Sequence, residues 1–116
     1  MGFDQVAGKQ SVIVGIIIML RIPDDKISDF CHRWKITELA LFGSILRDDF
    51  GPDSDVDVLV SFTDDAGWSL FDLVDMIDEL KAIFGREVDL VEKKALRNPF
   101  RRQTILQDRE IIYAGG

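Results

Sequence analysis

The chain has few of the residues that small proteins use to reinforce a fold or to build a metal centre. It contains one cysteine, one histidine and three prolines among 116 residues. A single cysteine cannot close an intramolecular disulfide, so a disulfide-stabilised scaffold is excluded. One histidine and one cysteine cannot form a zinc site without carboxylates or a second chain, and a Ser-His-Asp mechanism would depend on His32 alone.

The sequence also lacks a hydrophobic run long enough to span a membrane. The longest run, residues 12–20, has nine residues, whereas a spanning helix needs about 20. Asp4 and the absence of a small-residue cleavage site disfavour a signal peptide. A strand rich in branched residues and an upstream extension, with Met19 as an alternative start, both stay open. We therefore interpret residues 1–20 as an N-terminal apolar extension or extra strand, and expect a cytoplasmic protein that does not bind membranes.

The charge of the chain is unevenly distributed. Apolar residues make up 47% of the sequence, which is enough for the core of one domain. The net charge is −7, but residues 47–92 carry three basic and fourteen acidic side chains, whereas residues 93–116 carry six basic and two acidic ones. The acidic total disfavours a generic nucleic-acid binder. The local excess of acids needs a chemical explanation.

Hydrophobic periodicity predicts alternating helices and strands. This alternation indicates an α/β (α+β) domain with a small mixed sheet flanked by helices. A Ser69–Asp72 capping box and Gly85 predict the two ends of the central helix. In chain order we expect a helix over residues 23–34, a strand at Ile36–Phe42, a short helix at 44–47, a strand at 55–62, a helix over 69–85, a strand at 86–91 and a helix over 98–113.

Two carboxylates open the strand at residues 55–62. Asp55 and Asp57 are two residues apart, so on a strand they project from the same face, while Val56 points into the core. Neighbouring carboxylates repel unless a cation lies between them, and oxygen ligands suit Mg²⁺ or Mn²⁺. Asp89, on the next predicted strand, offers a third carboxylate. Three converging carboxylates can hold two metal ions, which stabilise an in-line displacement at phosphorus.

A phosphate-binding element precedes these acids. Gly43 lets a phosphate approach the backbone, and Ser44 stands where a short helix begins, so its hydroxyl and the nearby N–H groups can bind phosphate oxygens. Arg47, one turn later, can reach the same phosphates or be an ordinary surface residue. An EF-hand loop is disfavoured because Val58 stands where that loop needs glycine.

Residues 43–62, GSILRDDFGPDSDVDVLVSF, resemble the signature of the DNA polymerase β-type nucleotidyltransferase superfamily, and within it the minimal nucleotidyltransferase (MNT) group. That signature is Gly-Ser, ten residues and Asp-x-Asp, commonly with Arg three positions after the Ser. The resemblance covers residues 23–113, and we expect residues 21–116 to form the domain. Asp48 departs from the signature, where Gly or Ala is common. The matching residues are Gly43, Ser44, Arg47, Ser54, Asp55 and Asp57, with Asp89 as the third carboxylate.

The resemblance implies a nucleotidyltransferase that moves a nucleoside monophosphate, AMP from ATP or the equivalent from another triphosphate, to a hydroxyl group. Asp55, Asp57 and Asp89 would bind two Mg²⁺ ions, while Gly43 and Ser44 hold the β- and γ-phosphates. The MNT group is similar to antitoxins that neutralise a HEPN-domain toxin by adenylylating a tyrosine, so a HEPN-domain partner is expected. Longer relatives carry a second domain for the acceptor, so we expect another subunit to supply it here. A non-catalytic antitoxin, a subunit of a small-molecule nucleotidyltransferase and a homo-oligomer remain alternatives.

Three other features have two interpretations each. Residues of the first helix, among them His32, are expected to pack in the core rather than to carry chemistry. The aromatic and apolar residues around Phe71 could be core or an exposed patch for a partner. The basic residues of the C-terminal region could be a solvated face or could bind triphosphate, nucleic acid or an acidic partner. The residues concerned are Cys31, His32 and Trp34; Trp68, Leu70 and Phe71; and Lys93, Lys94, Arg97, Arg101 and Arg102.

Overall fold

A computed structural model of the chain describes residues 24–46 and 54–115. The extension predicted for residues 1–20, together with Arg47 and Asp48, lies outside the described residues. Within them there are three α-helices and one four-stranded sheet. The elements are α1 (Asp24–Arg33), β1 (Ile36–Phe42), β2 (Val56–Phe62), α2 (Leu70–Phe84), β3 (Val88–Glu92), α3 (Pro99–Asp108) and β4 (Glu110–Ala114), with 3-10 turns at Gly43–Leu46 and Lys93–Ala95.

The sheet is mixed, in the order β3-β2-β1-β4. Strand β1 is antiparallel to both β2 and β4, whereas β2 and β3 run parallel. The parallel pair is joined through α2, as a crossover connection requires. This architecture confirms the predicted class of a small mixed sheet flanked by helices. None of the helices in the two described ranges is long and apolar enough to cross a membrane.

The two faces of the sheet are covered unequally. One face carries the larger core, in which the alternating valines of β2 are fully buried beneath α1 and α2. The opposite face carries a smaller cluster, which Leu59 of β2 forms with residues of β1 and α3. The larger core includes Ile27, Phe30, Leu39, Leu41, Val56, Val58, Val60, Met76 and Leu80; the smaller one consists of Ala40, Phe42, Leu59, Leu96 and Ile105.

A hydrogen-bonded tryptophan pair fixes α2 against the end of α1. The rings of Trp34 and Trp68 meet edge to face with centroids 5.1 Å apart. Trp34 Nε1 donates to Glu79 Oε2 at 2.6 Å, and Trp68 Nε1 donates to the Trp34 carbonyl oxygen at 2.8 Å. Arg33 donates to the other oxygen of Glu79 at 2.9 Å. Both indole N–H groups are therefore satisfied, as half-buried tryptophans require.

Both ends of α2 lie where the sequence predicts them. The Ser69 side chain accepts a hydrogen bond from the Asp72 backbone N–H, and the Asp72 carboxylate accepts one from the Ser69 N–H, which completes the capping box. Gly85 ends the helix in the left-handed conformation at φ +68°. The cap at Gly85 ends the helix three residues before β3 begins at Val88.

The C-terminal helix is shorter than predicted. A helix over residues 98–113 is wrong, because α3 ends at Asp108 and residues 110–114 form β4 against β1. The segment Glu-Ile-Ile-Tyr-Ala is rich in residues that favour strands, and β1 offers it an unpaired edge. Local periodicity could not reveal that edge, because pairing with β1 joins residues far apart in the sequence.

The prediction that the first helix packs in the core is confirmed for Cys31, which is buried with Ile27 and Phe30. It is wrong for His32, which is exposed on α1 and meets the ring of Tyr113 edge to face at 6.1 Å. Trp34 is half-buried and follows the helix.

Candidate active site

Strand β2 separates the core from the predicted acidic site. Val56 and Val58 are fully buried on the face covered by α1 and α2. Asp57 lies between them and therefore projects from the opposite face, where it is half-buried. Leu59 follows on that same face and is buried in the smaller cluster. The alternation of the sequence thus places one carboxylate on the same face as the smaller cluster.

Asp57 and Asp89 occupy the same register position on two neighbouring strands. Strands β2 and β3 are parallel and pair Asp57 with Asp89, Val56 with Val88 and Val58 with Leu90. Paired residues on adjacent strands project from the same face at a spacing of about 4.8 Å. Asp89 is exposed, since β3 is an edge strand of the sheet. The two carboxyl groups predicted to act together are therefore brought side by side by the backbone.

Asp55 lies just before β2 and is exposed. The backbone N–H of Val56 donates to the Glu87 carbonyl oxygen at 2.9 Å, which ties this entry point to the residue before β3. Because side chains two residues apart on an extended chain project from the same face, Asp55 lies on the same side of the strand as Asp57. The structure therefore brings all three acidic residues to one end of the β2–β3 pair.

The donor chemistry of this end of the sheet suits a hard divalent cation. Three carboxylates are ligands that Mg²⁺ or Mn²⁺ accepts. Among residues 24–46 and 54–115, however, no three acidic, histidine or cysteine side chains are gathered as an ion-binding cluster. The carboxylates of Asp55, Asp57 and Asp89 would have to turn toward a common point to ligate an ion. Their role as metal ligands stays a prediction.

Gly43 lies directly against the Asp57 carboxylate. A Cβ atom on Gly43 would collide with Asp57 Oδ2 and would lie 3.1 Å from its Cγ. Gly43 also has φ +73°, a left-handed conformation that side chains disfavour. Glycine is therefore required on two separate grounds, because of its backbone conformation and because of the space that Asp57 fills.

The turn that follows Gly43 connects the site to the core. Ser44 is the second residue of the 3-10 turn Gly43–Leu46, and Ile45 beside it is buried in the larger core. The predicted short helix is therefore a 3-10 turn. Gly43 contacts Asp57, whereas Arg47 lies outside the described residues. The phosphate-binding roles of Gly43, Ser44 and Arg47 stay predictions.

Sequence reasoning missed Leu96 as a supporting residue of the site. Leu96 is buried in the smaller cluster with Phe42 and Leu59. Phe42 pairs with Asp57 across β1 and β2, and Leu59 follows Asp57 by two residues on the same face of β2. Its signal was a single large apolar residue within the basic segment Lys-Lys-Ala-Leu-Arg-Asn. By packing in the smaller cluster, Leu96 holds the approach to α3 on the face of the sheet from which Asp57 projects.

The basic C-terminal region is divided between structural and exposed roles. Arg102 donates to the Lys93 carbonyl oxygen at 3.0 Å, and Lys94 lies 3.5 Å from Asp64. Arg97 and Arg101 are exposed and have no ionic partner in the part of the chain that the structure describes. These two arginines are the members of the cluster that are available to bind a ligand or partner.

An ion pair holds the junction between α3 and β4 to β1. Arg109 Nε lies 3.0 Å from Glu38 Oε2, and both side chains are about one-fifth exposed. The pair is close without the alignment of a hydrogen bond, so its attraction is mainly Coulombic. Lys93 lies 4.0 Å from the other oxygen of Glu38. This carboxylate therefore joins three segments around the smaller cluster.

Comparison with known proteins agrees with this geometry. The model of the nucleotidyltransferase domain family matches residues 24–112, which is most of the chain. The chain therefore belongs to the nucleotidyltransferase domain family. The family predicted from the Gly-Ser and Asp-x-Asp spacing is confirmed, and so is the enzyme class, a nucleotidyltransferase.

The chain is similar to a protein adenylyltransferase in sequence and to chains of toxin–antitoxin complexes in fold. Protein adenylyltransferase MntA of Thermococcus cleftensis is 37% identical over 82 residues, which are 71% of this chain and 78% of that protein. A chain of a toxin–antitoxin complex crystallised with AMP-PNP superposes with a TM-score of 0.64 at 19% identity, over 80% of this chain and 74% of that one. A chain of the complex between tri-AMPylated Shewanella oneidensis HEPN toxin and MNT antitoxin gives 0.57 at 19% identity, over 78% and 69%. At this identity the two structures show the shared fold alone.

Proposed function

We propose that the protein is a metal-dependent adenylyltransferase that moves AMP from ATP to a hydroxyl group of a partner protein. The observation that carries the proposal is the in-register pair of Asp57 and Asp89, with Gly43 packed against Asp57. The relative from T. cleftensis is named a protein adenylyltransferase, and one structural neighbour was crystallised with an ATP analogue. Both support AMP as the transferred group.

The proposed acceptor is a tyrosine of a HEPN-domain protein, with the present chain acting as its antitoxin. One structural neighbour belongs to a complex with an AMPylated HEPN toxin, which supports this class of acceptor. We propose that residues 21–116 form the catalytic domain and that the acceptor protein supplies its own binding surface. The proposed location is the cytoplasm, where ATP and Mg²⁺ are abundant.

Each site residue has a distinct proposed task. Asp55, Asp57 and Asp89 would hold two Mg²⁺ ions, or Mn²⁺, whose chemistry is charge neutralisation at the attacking and leaving oxygens. Gly43 and Ser44 would hold the β- and γ-phosphates, because glycine permits close approach of phosphate and a turn offers backbone N–H groups. Arg47 would contribute charge-assisted hydrogen bonds to the same phosphates.

The proposed reaction is an in-line displacement at the α-phosphorus of ATP. The acceptor oxygen forms a new P–O bond while the bond from the α-phosphorus to the bridging oxygen breaks, and pyrophosphate leaves with that electron pair. Asp89 would accept the hydroxyl proton, because it is exposed at the sheet edge where an acceptor can approach. Asp57, half-buried against Gly43, would be a ligand of the ions that neutralise charge at the α-phosphate.

The proposal is tested with purified protein, ATP labelled at the α-phosphate, Mg²⁺ and a purified HEPN-domain protein as the candidate acceptor. We expect label on a tyrosine of that protein, none without Mg²⁺, and at least about a hundredfold less with Asp57→Asn. Asp25→Asn, which changes an exposed acid of α1, serves as the matched control and should transfer label normally.

Two outcomes identify the alternatives. If no label is transferred and Asp57→Asn still neutralises the partner, the protein is a binding antitoxin without catalytic activity. If label passes only to small hydroxyl compounds, it is a subunit of a small-molecule nucleotidyltransferase. Competition with unlabelled GTP, CTP and UTP defines the base preference.

A further inference from the structure

Helix α2 presents three large apolar side chains to solvent. Leu70 is 76% exposed, Phe71 is 84% exposed and Val74 is 49% exposed. The helix packs on the sheet through Met76 and Leu80, which lie on its other side and are fully buried. Single exposed apolar residues are normal, but three within two turns form a contiguous patch that marks an interaction site.

Two acids extend this patch along the same side of α2. Asp75 and Asp78 follow Phe71 by four and seven residues, which is the spacing of one helix face. Both are exposed, and neither has an ionic or hydrogen-bonded partner within residues 24–46 and 54–115. Asp72, by contrast, is engaged with Ser69 in the cap of the helix. We define the α2 patch as Leu70, Phe71, Val74, Asp75 and Asp78.

The charge of the α2 patch defines the partner that fits it. A second exposed aromatic, Phe100, is flanked by Arg97 and Arg101 on α3 and its approach, so its surroundings have the opposite sign. Charged groups that border an apolar patch select partners of complementary charge. The α2 patch therefore suits an apolar depression bordered by lysine or arginine side chains.

We propose that the α2 patch is the docking surface for the acceptor protein, which contributes such a basic-rimmed apolar depression. This inference rests on the proposed function, because it takes the docked partner to be the protein that receives AMP. Phe71, the most exposed of the three, would be the anchor that fills the depression. Asp75 and Asp78 would fix its orientation through ion pairs at the rim.

The course of α2 connects the α2 patch to the active site. The helix has 15 residues, so it spans about 22 Å. Near the end of the helix, Lys81 pairs with Glu87, which precedes β3, at 3.1 Å. The carbonyl oxygen of Glu87 accepts a hydrogen bond from the Val56 N–H at the start of β2. A partner lying along α2 therefore extends from Phe71 to the sheet edge that carries Asp89.

The test compares two equally exposed phenylalanines, Phe71 and Phe100, in binding and AMP-transfer assays with a purified HEPN-domain protein as the acceptor. Phe71→Asp should raise the dissociation constant and the KM for the acceptor about tenfold or more, with kcat at saturating acceptor unchanged. Phe100→Asp, the matched control, should change both less than about threefold. Reversing the charge of the two acids with Asp75→Lys and Asp78→Lys should weaken binding of the acceptor. The affinity of this variant should no longer fall as the salt concentration rises.

The outcomes separate this inference from the proposed function. If the wild-type chain binds the acceptor but transfers no AMP, the proposed function fails, while weaker binding by Phe71→Asp still supports docking at α2. If AMP is transferred and Phe71→Asp leaves both KM and affinity unchanged, the docking inference is overturned and the function stands. Absence of binding by the wild-type chain overturns the docking inference. So does a wild-type oligomer that Phe71→Asp converts to a monomer in sedimentation, because the patch would then bind a second copy.

Discussion

The carboxylate of Asp57 fills the space into which a side chain at Gly43 would extend. Besides its proposed role in holding phosphate, Gly43 therefore makes room for the carboxylate of Asp57, a proposed metal ligand. Because Phe42 and Asp57 are paired across β1 and β2, the end of β1 and the start of β2 fix this contact. Substitutions at Gly43 should consequently alter both stability and catalysis.

Gly43→Ala should remove activity and destabilise the fold. We expect AMP transfer to fall at least about a hundredfold, because Asp57 must move to admit the Cβ atom. The free energy of unfolding should fall by about 1–3 kcal/mol more than in Gly85→Ala. Gly85 has a similar φ of +68° but nothing within 4 Å of an added Cβ, so the difference measures the collision. Equal losses in urea unfolding of the two variants would contradict the close contact.

Asp89→Asn should lower the AMP-transfer activity but raise the stability of the metal-free protein. AMP transfer should fall about a hundredfold or more, because a proposed ligand and proton acceptor is lost. In a chelator, the free energy of unfolding should rise by about 0.5 kcal/mol, because a like-charged neighbour of Asp57 is removed. Thermal unfolding with EDTA and with Mg²⁺ checks this, and added Mg²⁺ should stabilise the wild type more than the variant. Equal stabilisation of both would argue against Asp89 as a ligand.

Glu38→Gln should loosen the junction of α3 and β4 without touching the site. The substitution leaves Arg109, about one-fifth exposed, without its ionic partner at 3.0 Å. We expect the free energy of unfolding to fall by about 1–2 kcal/mol, measured by urea denaturation. Asp64→Asn removes the exposed partner of Lys94 and serves as the control, which should have no measurable effect. A Glu38→Gln variant as stable as the control would show that the pair contributes nothing.

Cys31 should make the fold sensitive to alkaline pH. Burial raises the pKa of its thiol from 9.0 to about 12, since the thiolate is disfavoured in the core. The unfolded chain therefore loses this proton above about pH 9 while the folded chain keeps it, so stability falls as pH rises. Relative to Cys31→Ala, the free energy of unfolding should decline by about 1 kcal/mol per pH unit between pH 9 and 11. Parallel pH profiles of the two proteins would contradict the burial of the thiol.

Local patterns predicted where the candidate site residues lie, and their roles stay predictions. Alternation in β2 places Asp57 on the face opposite the valines, Gly43 contacts Asp57, and Asp89 is paired with Asp57 in register. The apolar residues of α2 do not all face the core, since Leu70 and Val74 are exposed. Apolar residues surround much of this helix, so its orientation depends on the sheet it meets rather than on its own period. For the same reason, the sequence alone left open whether Phe71 lies in the core or in an exposed patch, and the structure shows it exposed.

Alternation along β2 also links errors in folding to loss of activity. The strand places valines on one face and Asp57 with Leu59 on the other. A pairing slip of one residue would exchange the two faces, burying a charge beneath α1 and α2 and exposing branched apolar side chains. Such a molecule would lose its core and the proposed metal ligand Asp57 together. The same two-residue repeat of β2 therefore sets both the packing of the core and the position of the candidate site.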